Sequence, residues 1–169
     1  MSERASGTAR LADAVAQASA AADERALAAL RREVEDELEA AVRSGDYRER
    51  ALGYRAIGQL HFFQKEELLR RGLEDESPAC RGSALLSLDA LSRGHPGAVN
   101  AVRPLLHTLA TEDPNQAVRR IAVLALKNGS PTPDTITLLA HLAEVAEERD
   151  LRAAAESVHQ TLRRKAAAR

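Results

Sequence analysis

The sequence predicts an all-α protein, and three observations carry that prediction. Apolar residues recur at intervals of three and four along most of the 169-residue chain, and no window alternates with a period of two. Ala and Leu dominate a 44% hydrophobic content in which aromatics make up only 2% and Trp is absent, a composition that suits helices and leaves little for strands. Helix-start signals also recur: Ser77-Pro78, Asp113-Pro114 and Thr132-Pro133 each set a capping oxygen before a residue with no N–H to leave unsatisfied.

Taken in order, residues 1–7 read as a disordered start, and Thr8 to Ala22 as an Ala-rich, weakly amphipathic helix or frayed arm. Residues 1–22 are therefore expected to form an arm or loosely packed helix. From Asp23 to about Arg43, Leu27, Leu30, Val34, Leu38 and Val42 define a firm apolar stripe, which Ser44-Gly45-Asp46 ends. Tyr47 to Leu60 gives a second helix with Ala51, Tyr54, Ile57 and Gly58 toward one side. His61-Phe62-Phe63 is a connector, and Gln64 to Gly72 a short helix carrying Leu68 and Leu69. The helix opened by Ser77-Pro78 reaches about Ser92, where Arg93-Gly-His-Pro-Gly97 turns the chain. Ala98 to Thr111 is the next helix, with a kink expected at Pro104. Val118, Ile121, Ala122, Ala125 and Leu126 then line one face of a helix over Asn115 to Lys127, closed by Asn128-Gly129. The helix capped at Thr132 reaches about Glu148, burying Ile136, Leu139, Leu142 and Val145. The last helix carries Leu151, Ala154, Ala155, Val158 and Leu162. A helical domain over 23–165 is expected, followed by a tail at 166–169.

Charge and cysteine content bound the function. The 24 basic and 25 acidic side chains nearly cancel, which argues against a generic polyanion binder. Cys80 stands alone, so no internal disulfide framework exists. No signal peptide is visible at the N-terminus, and no stretch approaches the roughly 20 apolar residues of a membrane span. A soluble cytoplasmic protein without membrane contact is the expectation.

The chain also repeats itself. Asp75, Arg81, Ala84 and Leu88 have the same spacing as Asp113, Arg119, Ala122 and Leu126; Arg152 and Ala155 continue the series, with a weaker copy around Arg48 and Ala51. The Arg positions 81, 119 and 152 are separated by 38 and 33 residues, a helical-repeat period. This arrangement resembles the HEAT repeat family, in which a first helix leads through an Asp-containing turn to a second helix opening with Val-Arg. The resemblance covers about residues 24–165 and is strongest at Asp113-Pro114 through Leu126. It implies a right-handed α-α superhelix, or solenoid, of about four helical pairs. It further implies that Asp75, Arg81, Asp113, Arg119 and Arg152 are structural residues that tie neighbouring repeats together by charge-assisted hydrogen bonds. Tetratricopeptide repeats are the rival architecture, but their Trp and spaced Tyr are missing.

No catalytic constellation is visible. His61, His95, His107, His141 and His159 include no pair three or four apart and no His-Glu motif of the kind that carries the di-iron site of HEAT-like deoxyhypusine hydroxylases. His107 and His141, on successive first helices, supply too few ligands for a metal. Cys80 aligns with Val118 and Leu151 and reads as a small core residue. The acidic run of Glu33, Glu35, Asp36, Glu37 and Glu39 reads as a solvated helix face. HEAT-like DNA glycosylases share the architecture, but they present aromatic and Arg side chains to a duplex, and Trp is absent here. No metal, cofactor or enzymatic activity is expected, and nucleic acid is disfavoured.

Two features point to partner binding. Five residues after the repeat Arg, a position polar in the consensus holds Leu86 and Leu124, then Ser157; the two leucines form an apolar strip if exposed, with Arg120 as its rim. All four aromatics, Tyr47, Tyr54, Phe62 and Phe63, fall within one helix and its connector. They either plug an atypical junction or present Tyr54, Phe62 and Phe63 as a second partner patch. The expected function is a non-catalytic adaptor, scaffold or accessory subunit binding a protein partner through the second helices of its pairs. The alternatives are an enzyme of the HEAT-like lyase group that resembles the accessory proteins attaching bilins to phycobiliproteins, and a nucleic-acid binder. Short solenoids have unsealed ends, so homo-oligomerisation through an end helix is a further expectation.

Overall fold

Four of the helices begin where a side chain satisfies one or two of the first N–H groups. Asp23 accepts from Ala26 N at 2.9 Å, Asp46 from Arg48 N at 2.8 Å, Asn115 from Ala117 N and Val118 N at 3.0 and 3.2 Å, and Thr132 from Thr135 N at 3.4 Å. The computed structural model describes residues 2–21 and 23–168; among these, 81% are helical and none is in a strand. The helices are α1 (Ser2–Ala18), α2 (Glu24–Val42), α3 (Tyr47–Gln59), α4 (Glu66–Leu73), α5 (Pro78–Ser92), α6 (Pro96–Glu112), α7 (Gln116–Leu126), α8 (Pro133–Val145) and α9 (Arg149–Ala167), with a 3-10 turn at Phe63–Lys65 before α4. α6 runs without interruption through Pro104. Met1, Ala22 and Arg169, which belong to the expected arm and tail, lie outside the described residues. Among the described residues no helix is long and apolar enough to cross a membrane.

The chain divides into two compact units, Met1–Leu91 and Ser92–Arg169. In the first, α1 packs on α2 and α3, α2 on α3, and α3 on α4. Its core holds Leu38, Ile57, Leu60, Leu69, Leu73 and Leu85, each at most 2% exposed. Backbones approach most closely where Ser87 of α5 meets Gly58 of α3. The Ser87 hydroxyl donates to Tyr54 O at 2.6 Å and accepts from Gly58 N at 3.1 Å, inserting itself between an i, i+4 pair of the α3 ladder. A Cβ on Gly58 would lie 2.6 Å from the Ser87 Cα, so only glycine fits. In the second unit, α6 packs on α7 and α8 on α9, with α7 also against α9 and α6 against α8. Val99, Leu106, Ala122, Leu126, Leu139 and Leu162 form its core.

The expected disordered start is corrected: α1 begins at Ser2. Its amphipathicity is weak, but Leu11 and Ala14 are buried, Arg10 pairs with Glu37 at 2.6 Å, and Thr8 donates to Glu49 at 3.3 Å. These polar ties come from α2 and α3, so nothing local in the sequence announces them.

Four turns share one construction. An Arg on the second helix of each pair folds back onto the carbonyl six residues before it: Arg50 onto Ser44 O at 3.1 Å, Arg81 onto Asp75 O at 2.9 Å, Arg119 onto Asp113 O at 2.5 Å, and Arg152 onto Ala146 O at 2.5 Å. In three of them the turn side chain also accepts the N–H two residues on, Ser44 from Asp46, Asp75 from Ser77, and Asp113 from Asn115. The first copy is thus centred on Arg50, not Arg48. Gly53 occupies the buried place taken by Ala84, Ala122 and Ala155, because a Cβ there would come within 2.7 Å of Val42. Arginines of this set also grip the acid of the following turn. Arg50 holds Asp75 through two bonds of 2.8 and 3.0 Å, and Arg119 bonds Glu148.

Candidate functional site

The position five residues after each turn-binding Arg is occupied by Arg55, Leu86, Leu124 and Ser157, of which Arg55, Leu86 and Ser157 are exposed and Leu124 is half-buried. Leu86 is 39% exposed, although Leu85 before it and Leu88 after it are buried. On a helix this is the outward side of a residue run that otherwise faces the core. Arg120 is exposed on α7 and lines a groove of about 490 Å³ with Gln116, Ala117, Glu148, Arg149, Asp150 and Leu151. That groove lies between the first turns of α7 and α9, where Arg119 draws the Glu148 carboxylate away from the N-cap role, so α9 starts without a side-chain cap.

The aromatic patch is corrected. Tyr54 is 3% exposed and Phe62 is 4%, so both are core residues and neither is available to a partner. Tyr54 lies in the space opened by Gly72, whose absent Cβ would come within 2.8 Å of the tyrosine ring. Phe62 is turned inward by the end of α3. Phe62 N reaches Ile57 O at 2.8 Å and His61 N reaches Gly58 O at 3.1 Å, a helix end that requires a left-handed residue, here His61 at φ 51°. Lys65 then stands 5.7 Å over the Phe62 ring while bonding Glu35 and Glu39 at 2.6 and 2.5 Å. Only Phe63 of the proposed trio is exposed, at 41%; Tyr47, at 45%, is the other exposed aromatic. Part of the acidic face of α2 is accordingly an anchor for the connector rather than a purely solvated surface, with Lys65 holding Glu39 below its ordinary carboxyl pKa.

The chemistry-bearing side chains are occupied by structure. Cys80 is fully buried and its thiol donates to Tyr47 O at 3.2 Å; burial first, then the nearby Asp75 charge, pushes its pKa up, away from a nucleophilic thiolate. His107 meets Thr135 Oγ1 at 2.9 Å, and burial and Arg103 hold its pKa below the usual value against the opposing pull of Asp134. Among the described residues no group of three or more His, Cys, Asp or Glu side chains is placed to hold a metal. A cavity of about 560 Å³ between α1, α2 and the following turn has Arg10, Asp36, Glu37, Arg43 and Glu49 in its lining; Arg10 pairs with Glu37, Arg43 pairs with Glu39, and Glu49 accepts from Thr8 and Ser44.

Sequence reasoning missed Arg50 and Lys65. Arg50 was legible in principle as the residue six after a turn-forming Ser44 and three before a small residue, once Gly53 is allowed in place of Ala. Lys65 had no such signal. Compared with known proteins, the sequence matches no protein-family model and no curated protein.

Proposed function

We propose that this chain is a HEAT-like helical-repeat protein with no catalytic role of its own, acting in the cytoplasm as an adaptor or accessory subunit that binds a partner protein. The binding positions are Leu86 on α5 in the first unit and, in the second unit, Leu124 on α7 with the Arg120 groove supplying polar contacts. The observation that carries this reading is Leu86, a large apolar side chain exposed at the centre of an otherwise regular core helix. Covering its remaining 39% exposure against a partner would recover on the order of 1 kcal/mol. The four Arg-bound turns support a repeat architecture, and the engagement of Cys80, His107 and the α2 carboxylates in structural contacts leaves the outer helix surfaces to carry the function. Affinity capture should compare wild type with Leu86→Asp combined with Arg120→Glu. One stoichiometric protein retained by wild type and lost from the variant, with unchanged far-ultraviolet circular dichroism, supports the proposal. Equal capture by both proteins sinks it.

A further inference from the structure

In the second unit, the turns at one end of the helices are stitched together. Asn128 donates to Ser92 Oγ at 3.0 Å, Asn100 donates to Ser130 Oγ at 3.0 Å, Arg103 donates to Ser130 O at 2.9 Å, and Lys165 Nζ donates to Lys127 O at 2.5 Å. These bonds fix the end of α9 beside the α7–α8 turn and that turn beside the start of α6. The edge so formed carries Arg103, Lys127, Arg163, Arg164 and Lys165, with Asp134 the carboxylate of the adjoining first turn of α8. Among the described residues Arg163, Arg164 and Lys165 meet no carboxylate, and all three are exposed. α6 and α8 begin at this edge while α7 and α9 end there, so their macrodipoles largely cancel and the side chains set its sign. The acids of the unit concentrate at the other end, where Glu112 ends α6, Glu144 lies in the last turn of α8, Glu147 and Glu148 lie in the α8–α9 turn and Asp150 in the first turn of α9. α6, at 17 residues, separates the two ends by about 25 Å, well beyond the screening length at physiological salt. The basic edge therefore acts as a positive surface of its own, although the chain as a whole carries a net charge of −1.

We propose that this edge docks an acidic polypeptide segment, rich in Asp and Glu, of a different protein. Charge complementarity selects the class of partner, and the size of the cluster selects among polyanions. Arg163, Arg164 and Lys165 lie within one helical turn, which suits a short acidic stretch. Duplex affinity instead grows with the number of phosphates neutralised along a track. The unit also has no aromatic residue with which to stack exposed bases, since Tyr47, Tyr54, Phe62 and Phe63 all precede it. The edge uses none of Leu86, Leu124 and Arg120, so either proposal can fail without the other.

The test uses the full chain and two labelled probes in fluorescence anisotropy, a dodecapeptide of alternating Asp and Glu and a 20-base-pair duplex. The peptide is expected to bind at low salt. Its affinity should fall about tenfold or more in Arg163→Glu/Arg164→Glu/Lys165→Glu and again when salt is raised from roughly 50 to 200 mM. Glu144→Lys/Glu147→Lys at the opposite end should not weaken it. Leu86→Asp should leave it unchanged, which keeps this result distinct from the capture experiment above. The milder Arg164→Gln, in the exposed last turns of α9, should give a partial loss without any risk to folding. The inference is overturned if the peptide does not bind, if the triple variant binds it as wild type does, or if the duplex binds more tightly and is the probe lost. It is equally overturned if the protein alone forms a dimer that the triple variant abolishes, since the edge would then belong to a second copy.

Discussion

Replacing Arg50 by Ala should cost about 3–5 kcal/mol, the range for stripping the partner from a buried charge. The Arg50 side chain is 12% exposed and that of Asp75 is 7%, so water replaces little of what is lost. Arg50 spends two bonds on the Asp75 carboxylate and two on the carbonyls of Ser44 and Gly45, so its removal leaves a buried anion with Ser77 N–H as a remaining donor and frees two turn carbonyls. Burial alone would raise the Asp75 pKa; the Arg50 hydrogen bonds and then Ser77 N–H reverse that and hold it below its ordinary value. The pair's contribution is therefore fully present above the unfolded pKa of about 4 and is lost as pH falls through the lower folded value. Asp75→Ala should destabilise as well, and the double variant should show a coupling of about 1.5 kcal/mol or more. Arg48, exposed and two residues away on α3, is the control, with Arg48→Ala expected within about 0.5 kcal/mol of wild type. Urea unfolding followed by tyrosine fluorescence reads the right unit, because Tyr47 and Tyr54 are the only tyrosines. A cost below about 1 kcal/mol for Arg50→Ala, or equal effects from Arg48→Ala and Arg50→Ala, would refute the assignment of Arg50 as the turn-binding residue.

Three further outcomes are expected. Leu85→Asp should abolish folding, at about 4 kcal/mol or more for a charge placed in the core. Leu86→Asp, one residue on, should stay within about 1 kcal/mol of wild type by the same urea assay. His61→Gly should stabilise the chain by about 0.5–1 kcal/mol, since His61 sits at φ 51° where a Cβ is strained; a lower urea midpoint would count against the helix end described for α3. His107, with its folded pKa held below the ordinary value, contributes stability that is complete above about pH 6.5 and declines as pH falls toward the folded value. Thermal unfolding between pH 5 and 7 should accordingly lose part of its pH dependence in His107→Gln, and an identical profile for the variant would dismiss that contribution.

The helices were legible because their signals are local. The Thr132 cap and stripes such as Val118 to Leu126 lie within a few residues of the structure they specify, whereas the cap of α7 is Asn115 and not the expected Asp113, which ends α6 and accepts from Asn115 N. The recurring Arg-bound turn was legible from the common spacing of Asp75 to Leu88 and Asp113 to Leu126. Its first copy was misregistered because Gly53 replaces the marker Ala, a substitution dictated by the closeness of Val42 and invisible without the packing. The sequence left open whether Tyr54 and Phe62 plug a junction or face a partner, because their burial depends on distant small residues and on a left-handed turn at His61, a residue type that rarely adopts one. The order of α1 likewise depends on Glu37 and Glu49, far along the chain. The place five residues after the turn Arg did not by itself decide exposure either: Leu86 is exposed there while Leu124, in the same place after Arg119, is half-buried.

The most direct test of that reading is photocrosslinking with a benzophenone side chain placed singly at positions 86, 120 and 101 in the source cell. Ala101 is exposed on α6, the first helix of its pair, and serves as the reference surface. A partner-binding second-helix surface predicts one discrete crosslinked protein from 86 and 120 and none from 101. The same adduct from all three positions, or an adduct from 101 alone, would contradict it.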